Sequence, residues 1–198
     1  MYSSAMTRNK TLKKRSVFSA KDFESSDGML TSVWGPSLWH YLHTMSFNYP
    51  VHPTAGQKKH YRDFIYSLKH VLPCRHCRDN LEKNFKYLPL RSCDLRGRED
   101  FSRYVYKLHE AVNKLLGKKS GLSYSEVRDR YENFRSRCTA SKPKLFSRKA
   151  LKKTAKKEKG CTVPLYGKKA KSIIKIVPQG RAGSSIQIDD KCVKRRVE

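Results

Sequence analysis

The sequence predicts an all-α protein, a four-helix bundle joined by a short fifth helix. Three observations carry this expectation. Apolar residues recur at helical spacing in successive segments, helix boundaries are written in Pro36, Pro73, Gly117 and the Ser123/Glu126 pair, and the connections are short. No segment makes a convincing strand within the folded region.

In the first helix Leu38, Leu42 and Met45 recur at i, i+4, i+7, and Trp39, His43 and Phe47 form a second stripe at i, i+4, i+8. Pro36 is expected in its first turn, where a missing N–H costs nothing. Tyr61, Phe64, Ile65, Leu68 and Leu72 make a second helical face, stopped by Pro73, and the third helix begins at the cysteines that follow. Phe101, Val105, Leu108, Val112, Leu115 and Leu116 mark a longer fourth helix with Gly117 as its C-terminal glycine. The last helix opens with Ser123 and Glu126 in a capping box and runs through Val127, Tyr131 and Phe134.

Aromatic and aliphatic residues become frequent after Val33 and thin out after Cys138. The expected organisation is a basic, disordered arm over 1–32, a folded domain over 33–138 and a basic, mostly irregular extension over 139–198, in which the stretch 172–177 (S-I-I-K-I-V) is a candidate strand. A chain of 198 residues, 37% hydrophobic, suits one domain with appendages. Of the net charge of +27, about +14 comes from Thr139 onward. A Lys-dense extension attracts phosphate backbones without base readout, so nucleic-acid or virion association is one expectation and a merely solvated face the other. No apolar run approaches the roughly 18 residues of a membrane span, and no apolar signal region opens the chain, which reads as soluble and intracellular. The first 21 residues are basic and free of Asp and Glu, as in organellar transit peptides, although their weak amphipathic pattern favours a disordered arm.

Six cysteines (Cys74, Cys77, Cys93, Cys138, Cys161, Cys192) are too few for a disulfide scaffold and ask for a catalytic or metal role. The sharpest motif is C-R-H-C at the start of a helix. Unpaired N–H groups and partial positive charge there stabilise a thiolate, and Arg75, His76 and Arg78 add charge, so a depressed thiol pKa is expected at Cys74. Two other readings stay open for CxxC alone. One is half of a zinc site completed by Cys93 and His109, in a zinc-stabilised nucleic-acid-binding module. The other is a thioredoxin-like dithiol, which needs a preceding strand where this sequence has helical period.

Three segments narrow the choice: W-G-P-S-L-W-H-Y-L-H-T-M (34–45), V-L-P-C-R-H-C (71–77) and L-H-E-A-V-N-K-L-L-G-K (108–118). In this order and at these separations they resemble the Erv/ALR family of FAD-linked sulfhydryl oxidases, over about half of the chain. The resemblance implies FAD at the end of the bundle and a homodimer. It places Trp39 and His43 at the flavin with Gly35 and Phe47 nearby, and puts the second motif on His109, Val112, Asn113, Gly117 and Lys118, with Tyr106 at the start of that helix. Tyr131, preceded by Arg130, closes the adenine side. The implied reaction is that of a thiol:oxygen oxidoreductase. Reduced protein thiols, directly or through a thioredoxin-like carrier, attack Cys74, Cys77 passes the electron pair to FAD, and O2 becomes hydrogen peroxide.

The sequence departs from the family pattern in four places, one being the Trp that often stands before the helix-four motif, for which Tyr104 is the nearest aromatic. The usual structural disulfide falls on Tyr106 and approximately Tyr124, leaving packing or a substitute such as Cys93 with Cys138. Glu110 replaces the family's Asn. No second close cysteine pair serves as a shuttle, so Cys161 and Cys192 are candidates for a distant one. A compact motif set with a basic tail is most similar to the oxidases of large nucleocytoplasmic DNA viruses, which implies host cytoplasm or virion, with the mitochondrial intermembrane space as the alternative.

Overall fold

The computed structural model describes residues 18–139, 160–178, 180 and 186–193. The transit-like arm before Phe18 and the Lys run over 140–159 lie outside the described residues.

A one-turn helix, α1 (Ala20–Phe23), is capped reciprocally by Ser19 and Asp22. Helix α2 (Thr31–Phe47) begins earlier than the sequence suggested, so Pro36 lies inside it and not in its first turn. The reason is the hold on the preceding chain. Val33 and Trp34 N–H groups bond to Leu30 O, and Trp34 Nε1 donates to Met29 O, which draws residues 31–35 into helix ahead of the proline. Helix α3 (Ala55–Val71) opens with a Thr54/Gln57 capping box; its C-cap Leu72 is extended at ψ 134°, as a residue before proline must be. Helix α4 (Arg75–Tyr87) follows at once, and a 3-10 turn (Ser92–Leu95) leads to α5 (Arg98–Leu115), with Glu99 and Asp100 in its first turn against the helix dipole. Gly117 stands just past the end of α5 at φ 64°, the left-handed conformation that only glycine takes without cost. Helix α6 (Tyr124–Glu132) carries the foreseen Ser123/Glu126 box and stops before Phe134.

The main core lies between α2, α3, α4 and α5, around Leu42, Ile65, Leu68, Phe101, Val105 and Leu108. Its buried tyrosines spend their hydroxyls on loop carbonyls, Tyr49 on Leu95 O at 3.0 Å and Tyr104 on Leu88 O at 3.1 Å. A second cluster of Phe47, Tyr124, Val127 and Tyr131 joins α6 to the bundle, with Tyr106, Leu122, Phe134 and Ile186 packed on it. Among the described residues no helix is long and apolar enough to cross a membrane.

The C-terminal extension corrects two expectations. A two-stranded antiparallel sheet, β1 (Ser136–Thr139) with β2 (Gly160–Pro164), forms where no strand was expected, with Ser136 opposite Pro164, Thr139 opposite Gly160 and a bulge between Arg137 and Thr139. Among the described residues the stretch 172–177 is in no strand, and Ile173, Ile174 and Ile176 are exposed. Arg135 ties the sheet to the bundle: its guanidinium bonds Phe47 O at 2.8 Å and the Glu132 carboxylate, while its own carbonyl accepts the Leu165 N–H. A 3-10 turn (Asp190–Cys192) closes on Gly167.

Candidate active site

Pro73 ends α3 and hands the chain to Cys74, the N-cap of α4. Its Sγ accepts the Cys77 N–H at 3.3 Å, a place usually filled by a serine or aspartate oxygen. Both thiols are free and half-buried, and the deeper Cys77 packs on the main core. Hydrogen bonding from the Cys77 thiol and N–H lowers the Cys74 thiol, with help from Thr31 and the Arg78 charge; the direction is the expected one, but its first cause is the neighbouring thiol and, of the three charges the sequence offered, Arg78 is the one that acts. Burial pushes Cys77 the other way, and its neighbour thiol adds to that. The two thiols are thus pushed apart, the outer one down and the inner one up.

A second centre lies between α2, α5 and α6. Trp39 stacks on His109 at 4.0 Å between centroids and 7° between planes, and His43 Nε2 meets His109 Nδ1 at 3.0 Å. Tyr131 lies 5.1 Å from the His43 ring and stacks on Phe47 at 5.6 Å. Burial, reinforced by the neighbouring histidines, holds His43 down to about 3, and burial holds His109 to about 4, so both imidazoles are neutral at physiological pH. Burial likewise lifts the Tyr131 phenol to about 12.

The structure therefore brings together Trp39, His43, Phe47, His109 and Tyr131 of the sequence-derived set. Tyr106 sits beside them on the second cluster, donating to Leu122 O at 2.8 Å. Gly35 is buried on α2. Val112 and Asn113 are half-buried on α5, where Asn113 Nδ2 is held by Glu110 at 3.0 Å, so the residue that departs from the family pattern engages the one beside it. Gly117 and Lys118 are exposed beyond α5, and Arg130 is half-buried on α6; among the described residues no hydrogen bond joins these three to the aromatic cluster. Three contributors escaped sequence reasoning. His40 Nδ1 contacts Tyr131 OH at 3.3 Å, Phe134 meets the His40 ring edge-on at 5.7 Å, and Thr31 Oγ1 lies 3.7 Å from Cys77 Sγ. His40 stands one residue off the Trp39 stripe, and its partner is 91 residues away, beyond any local pattern.

Tyr106 and Tyr124, at the places of the family's usual bridge, touch instead through their rings at 5.8 Å. Tyr124 OH bonds the buried Ser102 Oγ at 2.8 Å, and the Arg103 guanidinium covers its ring at 4.1 Å. Cys93 and Cys192 are free thiols and Cys161 is disulfide-bonded, so neither the Cys93–Cys138 bridge nor the Cys161–Cys192 pair forms. The reason is the sheet: β2 carries Cys161 alongside β1, while Cys192 lies on its own turn at Gly167. The side chain of Cys138 lies outside the described part. Among the described residues no three His, Cys, Asp or Glu side chains converge on a metal position, so Cys93 and His109 do not complete a zinc site with Cys74 and Cys77.

The donor set suits a flat, polar-edged cofactor. A stacked Trp39/His109 face offers ring area, and His43 Nδ1 is buried without a hydrogen-bond partner among the described residues. A buried orphan nitrogen costs stability unless a ligand meets it.

Residues 36–132 match the Erv1/Alr family. The chain is 34% identical over 99 residues to a probable FAD-linked sulfhydryl oxidase of Acanthamoeba polyphaga mimivirus, spanning 50% of this chain and 68% of that protein. It is 33% identical over 99 residues to an FAD-linked sulfhydryl oxidase of African swine fever virus, spanning 50% and 80%. Among solved structures, the yeast Erv1 core aligns at 25% identity with a TM-score of 0.45, covering 65% of this chain and 96% of that one. Helical bundle, capped dithiol and relatives define the class, an FAD-linked sulfhydryl oxidase acting on thiols. Within that class the chain belongs to the Erv1/Alr family.

Proposed function

We propose that Cys74 and Cys77 oxidise reduced protein thiols, directly or through a thioredoxin-like carrier, and that the electrons pass to O2 to give hydrogen peroxide. The observation that carries this reading is the division of the pair: Cys74 caps α4 with a lowered thiol pKa, and Cys77 packs inward on the core. A substrate thiolate attacks Cys74 Sγ of the Cys74–Cys77 disulfide, the S–S bond breaks, and its electron pair leaves on Cys77. A second substrate thiolate then attacks the substrate sulfur of the mixed disulfide and releases Cys74. The substrate becomes a disulfide, and the enzyme pair holds two electrons and two protons.

When bound, FAD would supply the two-electron acceptor chemistry that links the dithiol to dioxygen. Trp39 and His109 would hold its flat face and His43 would meet its polar edge, while Gly35, Phe47, Tyr106, Val112, Asn113, Gly117, Lys118, Arg130 and Tyr131 would complete its surroundings. Neutral His43 and His109 keep the site uncharged while it excludes water. The protein works as a homodimer in host cytoplasm or virion, and its basic extension associates with nucleic acid.

Purified protein should be yellow, with a flavin absorption band, and should consume oxygen when given dithiothreitol. A colourless protein that consumes none overturns the proposal.

A further inference from the structure

Residues 28–31 precede the stretch that matches the family and have no part in the steps above. They are nevertheless fixed to the redox pair. The Met29 N–H donates to Pro73 O at 2.8 Å, Trp34 Nε1 fixes Met29 O from the other side at 3.1 Å, and Thr31 Oγ1 reaches Cys77 Sγ at 3.7 Å. Gly28 lies so close to the loop that a Cβ there would stand 2.9 Å from Pro73 O and 3.3 Å from Cys74 Cα, both backbone atoms that cannot swing aside.

We propose that Thr31 is a catalytic hydrogen-bond donor to the Cys77 thiolate released when substrate attacks Cys74, and that Gly28 is the close-contact position that lets this strap deliver the hydroxyl. The inference rests on the reading of Cys74 and Cys77 as the redox pair. When the substrate sulfur bonds to Cys74 Sγ and the enzyme S–S bond breaks, the negative charge is left on Cys77 alone. Cys74, now in a mixed disulfide, has no S–H to donate to it. Among the described residues, the first turn of α4 and the hydroxyl of Thr31 face it, and the hydroxyl lends its hydrogen without losing it. Thr31 also acts on both sulfurs of the dithiol, lowering each, against the burial that raises Cys77. The charged group acting on the pair is Arg78, which acts on Cys74; Thr31 is neutral, so its contribution is the hydroxyl itself.

The test reads Cys77 as a lone thiol in the flavin-loaded full chain carrying Cys74→Ala, by iodoacetamide alkylation across pH with peptide mass analysis to separate Cys77 from Cys93 and Cys192. Adding Thr31→Val should raise the alkylation midpoint by about half to one pH unit, a thiolate fraction lower by about three- to tenfold near neutrality. Thr31→Ser, which keeps the hydroxyl, should restore the midpoint. Gly28→Ala should shift it in the same direction as Thr31→Val and add nothing on top of it. An unmoved midpoint in Thr31→Val, or an equal shift in Thr31→Ser, overturns the proposal. Alkylation needs no turnover, so the two readings fail separately: the shift in a protein whose parent oxidises no dithiol sinks the oxidase alone, and oxidation without the shift sinks the role of Thr31 alone.

Discussion

The His43/His109 pair makes the protein acid-sensitive in a window where ordinary carboxylates are silent. Burial holds the two imidazoles at about 3 and about 4, against an ordinary value of 6.5. Below pH 6.5 the unfolded chain takes up protons on both, and the folded chain does not. The unfolded state therefore binds more protons, and stability falls as pH falls until the folded values are reached. A full pH unit inside the window costs about 1.4 kcal/mol per histidine, so lowering pH from 7 to 5 costs about 2 kcal/mol for each and about 4 kcal/mol for the pair. That is a large fraction of the roughly 5–15 kcal/mol typical of a domain. Urea unfolding at pH 7, 6 and 5, for the parent and His109→Gln, measures it directly. The parent should lose about 4 kcal/mol across the range and the variant about half of that. A parent as stable at pH 5 as at pH 7, or a variant that follows the parent, would refute the reasoning.

Other outcomes follow from the same geometry. Cys74→Ser and Cys77→Ser should each abolish dithiol oxidation while the flavin absorption band is kept; full turnover in Cys77→Ser would show the inner sulfur to be misassigned. Tyr124→Phe removes the hydroxyl at 2.8 Å from buried Ser102 Oγ and should cost about 1 kcal/mol, several degrees in Tm for a domain of this size, read by thermal unfolding. Truncation after Cys138 should abolish retention on a DNA column, and unchanged retention in moderate salt would remove the extension as the binding element.

The long helices were legible because each is bounded by residues that act locally. Pro73, Gly117 and the Ser123/Glu126 box stand where the sequence places them, and the CxxC falls at a helix start because Pro73 cannot continue the previous one. The start of α2 lies ahead of Pro36 because the bonds of Val33 and Trp34 to Leu30 and Met29 carry no sequence signature of their own, and the Met29 N–H bond to Pro73 O that anchors this segment is tertiary. The sheet escaped for the same reason. Strands β1 and β2 are separated by 20 residues, and neither is apolar enough to announce itself. At the site, Trp39, His43 and His109 were found as motif members, whereas His40, Phe134 and Thr31 matter only through partners on other elements.

The ring contact between Tyr106 and Tyr124 has a bearing on how the enzyme comes into being. From Thr31 to Glu132 no disulfide joins one helix to another: Cys93 is a free thiol, and Cys74 and Cys77 share the first turn of α4. Dithiothreitol should empty the reactive pair and leave the helices standing. Such a bundle can finish folding in the company of reductants and start its chemistry afterwards. The redox state of its surroundings then governs whether it works, not whether it exists.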